Sequence, residues 1–371
     1  MEADMAGSTI GTIFKITTWG ESHGKGIGVV IDGCPAGLTL CEEDIQQYLN
    51  RRKPGQSKYT TPRKEDDQVE ILSGVFEGRT TGTPISLVVY NQNQKSKDYR
   101  EIASYYRPGH ADYTFDCKYG FRDYRGGGRS SGRETIGRVA AGAVAAKILS
   151  QLGITLLSYT KSIGPVSICE DAFDPAQINE NALYMPDKEA AGKAASYLEQ
   201  CMEAQNSSGG VVECIISGMM PGIGDPVFEK LNANLAKAVC SIGAVKGFEI
   251  GDGFAVSSAT GLANNDAFYT DTDGQVKKQT NHAGGILGGM SDGSPVVLRA
   301  AIKPTPSIAS PQHTINRDGE NIDISIHGRH DPIIVPRAVV VVEAMAAITV
   351  LDALLVNMTA RLDKIKEFYN R

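Results

Sequence analysis

Apolar residues change their spacing several times along the chain, and each change marks an element. Residues 9–18 are β-branched and alternating, and residues 27–31 repeat the pattern, so both read as strands joined through a glycine-flanked turn. Residues 41–52 switch to helical spacing, with Ile45, Tyr48 and Leu49 on one side and Glu42, Glu43 and Asp44 in the first turn, where acids suit a helix start. Residues 69–76 and 84–90 are again strand-like, separated at Glu77-Gly78-Arg79. From Glu134 onward the inward positions Ile136, Val139, Ala140, Ala143, Val144, Ile148 and Leu149 are small and apolar, predicting a deeply packed helix.

The second half continues in the same way. Strands are expected at 154–159, 165–168, 211–217 and 296–303, and helices at 190–202 and 227–240. Residues 241–253 read as short apolar pieces broken by glycine, and Pro336 opens a long apolar helix over 337–358. No regular βα alternation appears, and the two most apolar helices each follow a loop of ligand-binding character. The expected class is α+β, with long central helices covered by antiparallel sheets in one domain.

Composition narrows the partners. The 371 residues carry a formal net charge of −6, so no broad basic field exists for nucleic acid. Locally the sign reverses: Arg107, Lys118, Arg122, Arg125, Arg129, Arg133 and Arg138 face only Asp112, Asp116, Asp123 and Glu134, which points to a small anionic ligand. Seven cysteines, odd in number and without C-x-x-C spacing, signal neither a disulfide framework nor a zinc site, and a cytoplasmic, reducing setting is expected. The apolar run 338–358 is interrupted by Glu343 and Asp352 and reads as a core helix, so no membrane span is expected.

Candidate chemistry gathers in the loops. Gly126, Gly127 and Gly128 free the backbone just before Ser130, Ser131 and a helix start, where N–H groups and the helix dipole favour phosphate or carboxylate. Neither this stretch nor Gly284 to Gly289 matches the dinucleotide or Walker fingerprints. The basic loop with Arg51, Arg52, Lys53, Lys58, Arg63 and Lys64 reads either as a solvated face or as a lid over an anion. His23 sits on a glycine-flanked turn, and Lys303-Pro304-Thr305-Pro306-Ser307 forms a stiff turn with a cation and hydroxyls. His327 and His330 lack a third ligand at useful spacing, so no metal is expected.

Three motifs then carry a family resemblance: Gly20-Glu21-Ser22-His23-Gly24; Arg107-Pro108-Gly109-His110-Ala111-Asp112 with the run from Tyr124 to Thr135; and Gly328-Arg329-His330-Asp331-Pro332. In this order they resemble the chorismate synthase family from near residue 5 to the C-terminal helix, with residues 1–4 as an extension. The resemblance implies a β-α-β sandwich, typically a homotetramer. It also implies a lyase that removes phosphate and the C6 hydrogen from 5-enolpyruvylshikimate 3-phosphate by 1,4-anti elimination, giving chorismate with reduced FMN present and no net redox change. NADPH or a separate flavin reductase would supply the reducing equivalents.

Site residues follow from the same resemblance. His110 is implied as general acid at the leaving phosphate, His23 as the group meeting the reduced flavin at N1, and Asp331 as the base relaying the proton from N5. Arg129, Ser130, Ser131, Gly243, Ala244, Gly288, Lys303, Pro304, Thr305, Pro306, Ser307 and Arg329 are implied as FMN contacts. Arg52 and Lys58 fall where the family's basic lid meets substrate or NADP, the family often having arginine at the second. Arg125, Arg133 and Arg337 are the remaining candidates for holding substrate anions.

Overall fold

In the computed structural model, residues 7–60, 65–91, 101–326 and 331–370 are described. The first sheet contains β1 (Thr9–Ile10), β2 (Lys15–Gly20), β3 (Gly26–Asp32), β4 (Val69–Ile71) and β5 (Ile85–Tyr90). Its order is β1-β2-β3-β5-β4 and every pairing is antiparallel. The second sheet contains β6 (Thr155–Ile163), β7 (Val166–Ser167), β8 (Gly210–Ser217), β9 (Val245–Ile250) and β10 (Val296–Ile302), in the order β9-β10-β8-β6-β7, also antiparallel throughout.

Helices α1 (Glu42–Arg52), α2 (Asp112–Tyr119), α3 (Thr135–Gln151), α4 (Lys188–Glu203), α5 (Leu231–Cys240), α6 (Gly261–Asn264), α7 (Val335–Asn357) and α8 (Leu362–Tyr369) complete the elements used below. The class is mixed α+β. Helix α3 packs on β2, β3 and β5, α7 packs on β6 and β8, and the two helices pack on each other.

The backbones of α3 and α7 approach closely because small residues meet. A Cβ placed on Gly142 would lie 2.3 Å from the Ala344 Cβ, and one on Gly137 would lie 3.0 Å from the Gly28 carbonyl oxygen of β3. Both helices are therefore buried on nearly all sides, which is why their apolar residues show little periodicity. Helix α7 is long and apolar enough to cross a membrane, yet most of it is covered by protein. Its one buried acid, Glu343, accepts a forked pair of bonds from Arg51 at 2.8 Å each.

Several expected boundaries move, each for a local reason. Residues 9–18 are two strands rather than one, because Asp352 of α7 accepts the N–H groups of Thr12, Ile13 and Phe14 and folds the chain between them. Residues 69–76 likewise split, with Gly74 in the left-handed region at φ +81°. The helix expected from 227 begins at Leu231, whose N–H goes to the Gly289 carbonyl. Residues 245–250 form a full edge strand of the second sheet despite Gly247, and α2 lies inside the charged stretch where no helix was expected.

Candidate functional site

The β2–β3 hairpin register pairs Gly20 with Ile27 and so presents His23 on the connecting turn. Gly24 N–H closes that turn on the Glu21 carbonyl, and the Asn91 amide braces it from outside. His23 is 6% exposed. Ser22 Oγ lies 3.1 Å from His23 Nδ1 and 3.2 Å from the Gly126 carbonyl, so it ties the imidazole to the loop that covers it.

The triple-glycine stretch arches over this imidazole. Gly126, Gly127 and Gly128 have φ of +74°, +83° and +53°, and a Cβ on Gly126 would stand 2.3 Å from His23 Cε1. Only glycine satisfies both the backbone sign and the space. The chain then makes two short 3-10 turns, Gly128–Ser130 and Gly132–Glu134, and enters α3 with Ser131 Oγ accepting the Arg133 N–H.

A third loop brings His110. Arg107 forks onto Asp112 at 2.7 and 2.8 Å, holding the turn closed. Gly109, at φ +70°, leaves room for Pro306, and its carbonyl accepts Lys303 Nζ at 2.6 Å. His110 Nε2 meets Ser307 Oγ at 2.8 Å, which joins the 107–112 and 303–307 turns. The fourth loop leads into α7, where Arg337 Nη1 donates to Asp331 at 2.7 Å.

These loops enclose a cavity of about 250 Å3 lined by His23, His110, Ser130, Ser131, Arg133, Thr305, Ser307, Asp331 and Arg337, together with Arg107 and Glu65. The amino ends of α3 and α7 both abut it, so two helix dipoles add positive potential to that of the arginines. Each lining arginine already has a carboxylate: Arg107 has Asp112, Arg133 has Glu65 and Asp67, and Arg337 has Asp331. Burial pushes the Arg133 and Arg337 guanidiniums below the usual arginine range, while Asp67 and Asp331 respectively pull them back up. The cations are thus fixed in place before any ligand arrives.

Other sequence candidates stand elsewhere. Arg129 turns back into the protein, donating to Thr18 Oγ1 at 2.6 Å and to the Thr18 and Gly20 carbonyls. Arg125 is paired with Asp123 on an open surface, and Lys58 reaches Glu199 at 2.5 Å. Arg52 is 1% exposed and lies behind the cavity wall against Asp67, not in it. Ala244 backs the Lys303 turn by accepting its N–H at 2.9 Å, with Gly243 beside it. Gly288 belongs to the small hairpin that precedes β10, whereas Lys303 follows that strand, and Gly288 does not line the cavity. Arg329, His327, His330, Arg63, Lys64 and residues 1–4 lie outside the described residues.

Sequence reasoning named Asp112 only as part of a motif and gave no role to Glu65 or Asp67. Arg107 carried a readable signal, being in the same short motif as His110, whereas Asp67 is one acid in a polar stretch with nothing to distinguish it.

The family model described as chorismate synthase matches residues 14–355. A chorismate synthase of Agathobacter rectalis is 74% identical over 367 residues, covering 99% of this chain and 100% of that protein, and one of Lachnospira eligens is 68% identical over the same shares. A crystal structure of chorismate synthase superposes with a TM-score of 0.74 at 31% identity, covering 97% of each chain. Matched along nearly its whole length in sequence and in fold, the chain belongs to the chorismate synthase family.

Proposed function

We propose that the cavity is where 5-enolpyruvylshikimate 3-phosphate is converted to chorismate by 1,4-anti elimination of phosphate and the C6 hydrogen, the reaction of this family. The observation that carries this reading is the convergence of two histidines, one aspartate and three ion-paired arginines on one small cavity at two helix amino ends. A substrate with two carboxylates and a phosphate needs such fixed cations in a site largely closed to water.

The family works with a reduced flavin, and the residues here suit one. The glycine arch and His23 line the cavity together, and Thr305 Oγ1 is buried without a hydrogen-bond partner among the described residues, available to a ligand. FMN is the form proposed, held by Ser130, Ser131 and the Lys303–Ser307 turn. When bound, it supplies electron density to the allylic system as the carbon–oxygen bond breaks. His110, oriented by Ser307, gives a proton to the departing phosphate; His23, oriented by Ser22, holds a proton toward the flavin edge; Asp331, held by Arg337, accepts the substrate-derived proton. Arg107, Arg133 and Arg337 bind the anions, and Lys58 of the basic loop contacts substrate or NADP when that loop closes.

The same reading takes the chain as one domain in a β-α-β sandwich, assembled as a homotetramer in the cytoplasm, with NADPH or a separate reductase providing the electrons. Anaerobic incubation with chemically reduced FMN and the enolpyruvyl substrate tests the function: phosphate and chorismate should appear in equal amounts. NADPH consumption without phosphate release would instead mark a flavin oxidoreductase with net electron transfer.

A further inference from the structure

Behind the cavity wall, between the basic loop and β4, the carboxylate of Asp67 is fully shielded from solvent. One oxygen, Oδ2, accepts from Arg52 Nη2, and the other, Oδ1, accepts from Arg133 Nη1 at 3.1 Å. Its backbone is left-handed at φ +49°, and Gln46 braces it there, donating to the Asp66 and Asp67 carbonyls at 3.3 Å while accepting the Val69 N–H at 3.1 Å. Such a backbone is uncommon for a residue with a side chain and persists where the surroundings hold it.

Each arginine that Asp67 holds leads to the cavity by a different route. Arg133 lines the cavity directly, its Nε and Nη2 fixed on Asn91 Oδ1 at 3.1 and 2.8 Å. Arg52 is not part of the cavity lining; its Nη1 reaches the Gly132 carbonyl at 3.3 Å, and its own main-chain carbonyl accepts Arg337 Nε at 3.0 Å. Arg337 in turn carries Asp331. Three guanidiniums are thereby gathered within one wall, where like charges repel; Asp67 bridges Arg52 and Arg133 with no solvent exposure, and Glu65 holds Arg133 Nη1 from the cavity side at 2.6 Å.

We infer that Asp67 is a positioning residue for the substrate's anionic groups: it orients Arg133 directly and Arg337 through Arg52, without itself touching substrate. This rests on the proposed reading of the cavity as the substrate site. A residue of this kind affects how tightly the substrate is held more than how fast the bound substrate reacts, because the arginines grip ground state and transition state alike. Asp67→Asn keeps the shape and an acceptor but removes the charge that aims both forks.

The test is to compare wild type, Asp67→Asn and Arg133→Ala in steady-state turnover under anaerobic conditions with reduced FMN, and by calorimetric titration of the flavin-free protein with substrate. Asp67→Asn should raise KM and the calorimetric Kd by about tenfold to a hundredfold, the range known for residues that orient metal ligands from behind, with kcat changed less than about threefold. The variant carrying both Asp67→Asn and Arg133→Ala should bind worse than Arg133→Ala alone, through Arg337, but by less than the two single losses combined. A scaffold role would instead reduce the active fraction at unchanged KM, and that result overturns the inference. Should Asp67→Asn fail to fold, Gln46→Ala, which loosens the brace and leaves every charge in place, must raise KM in the same way, and an unchanged KM there overturns it equally. If Arg133→Ala leaves KM unaltered, the reading of the cavity fails; if it raises KM while Asp67→Asn does not, the inference alone fails.

Discussion

Asp331 accepts a hydrogen bond from Arg337 Nη1 at 2.7 Å, and the same guanidinium is tied by Nε to the Arg52 carbonyl. A carboxylate held in this way has its orientation fixed by a group that is itself fixed. Asp331→Asn preserves the shape and loses the basic lone pair, so turnover should fall ~10²–10⁴-fold, the range of a general base, with thermal unfolding close to wild type. Turnover near the wild-type rate would remove the proton-accepting role.

His110 and Ser307 join two turns at 2.8 Å. His110→Ala should lower kcat by ~10²–10⁴-fold through loss of the acid at the leaving phosphate. Ser307→Ala should cost far less, since it only loosens the ring. Single-turnover phosphate release separates the two, and equal losses would shift the weight from acid chemistry to loop anchoring.

At Gly126 the structure leaves no space for a methyl group, and the backbone sign is wrong for alanine. Gly126→Ala should cost at least ~1–2 kcal/mol from the left-handed backbone alone and displace His23 as well. Thermal denaturation and flavin titration read the two effects. A variant with unchanged flavin affinity would show that the arch is not part of the cofactor's seat.

Burial works against ionisation of Asp67 and Asp112, but Arg52 and Arg133 in one case and Arg107 in the other hold both carboxyls below the usual range. A depressed folded-state value contributes stability above the unfolded value of about 4, and that contribution is lost as pH falls through the lower folded value. Unfolding midpoints measured from about pH 6 down to 3 should therefore drop on the acid side, and Asp112→Asn should flatten the drop. An identical acid limb in the variant would contradict the assignment.

The two basic-loop candidates should behave differently from each other. Arg52 is buried against Asp67, so Arg52→Ala leaves that carboxylate with Arg133 as its remaining arginine partner and should lower stability as well as weakening substrate binding more than FMN binding. Lys58 and Glu199 meet on the surface, and Lys58→Ala should leave the melting temperature unchanged. Denaturant titration of both variants checks this.

Much of this was legible before any coordinates. The two central helices announced themselves through unbroken small and apolar residues, and the glycine arch before α3 through its own composition. What escaped notice lacked a local signal. Helix α2 has no apolar stripe, β9 is interrupted by Gly247, and the short hairpins contain too few residues for a period to register. At the site, the histidines and Asp331 were readable because they sit in dense motifs. Asp67 was not, since its role depends on three arginines that arrive from residues 52, 133 and 337, a convergence no single stretch records.

The contact of Gly142 with Ala344 lies about 10 Å along α3 from its first residue, Thr135, away from the cavity lining. Yet the glycine arch and the Asp331 loop are continuous with these two helices, so whatever slides one rod against the other slides half the catalytic apparatus past the rest. Tolerance to sequence drift should accordingly be lowest in two places that look unrelated: the rim of the cavity and this bare crossing deep in the interior.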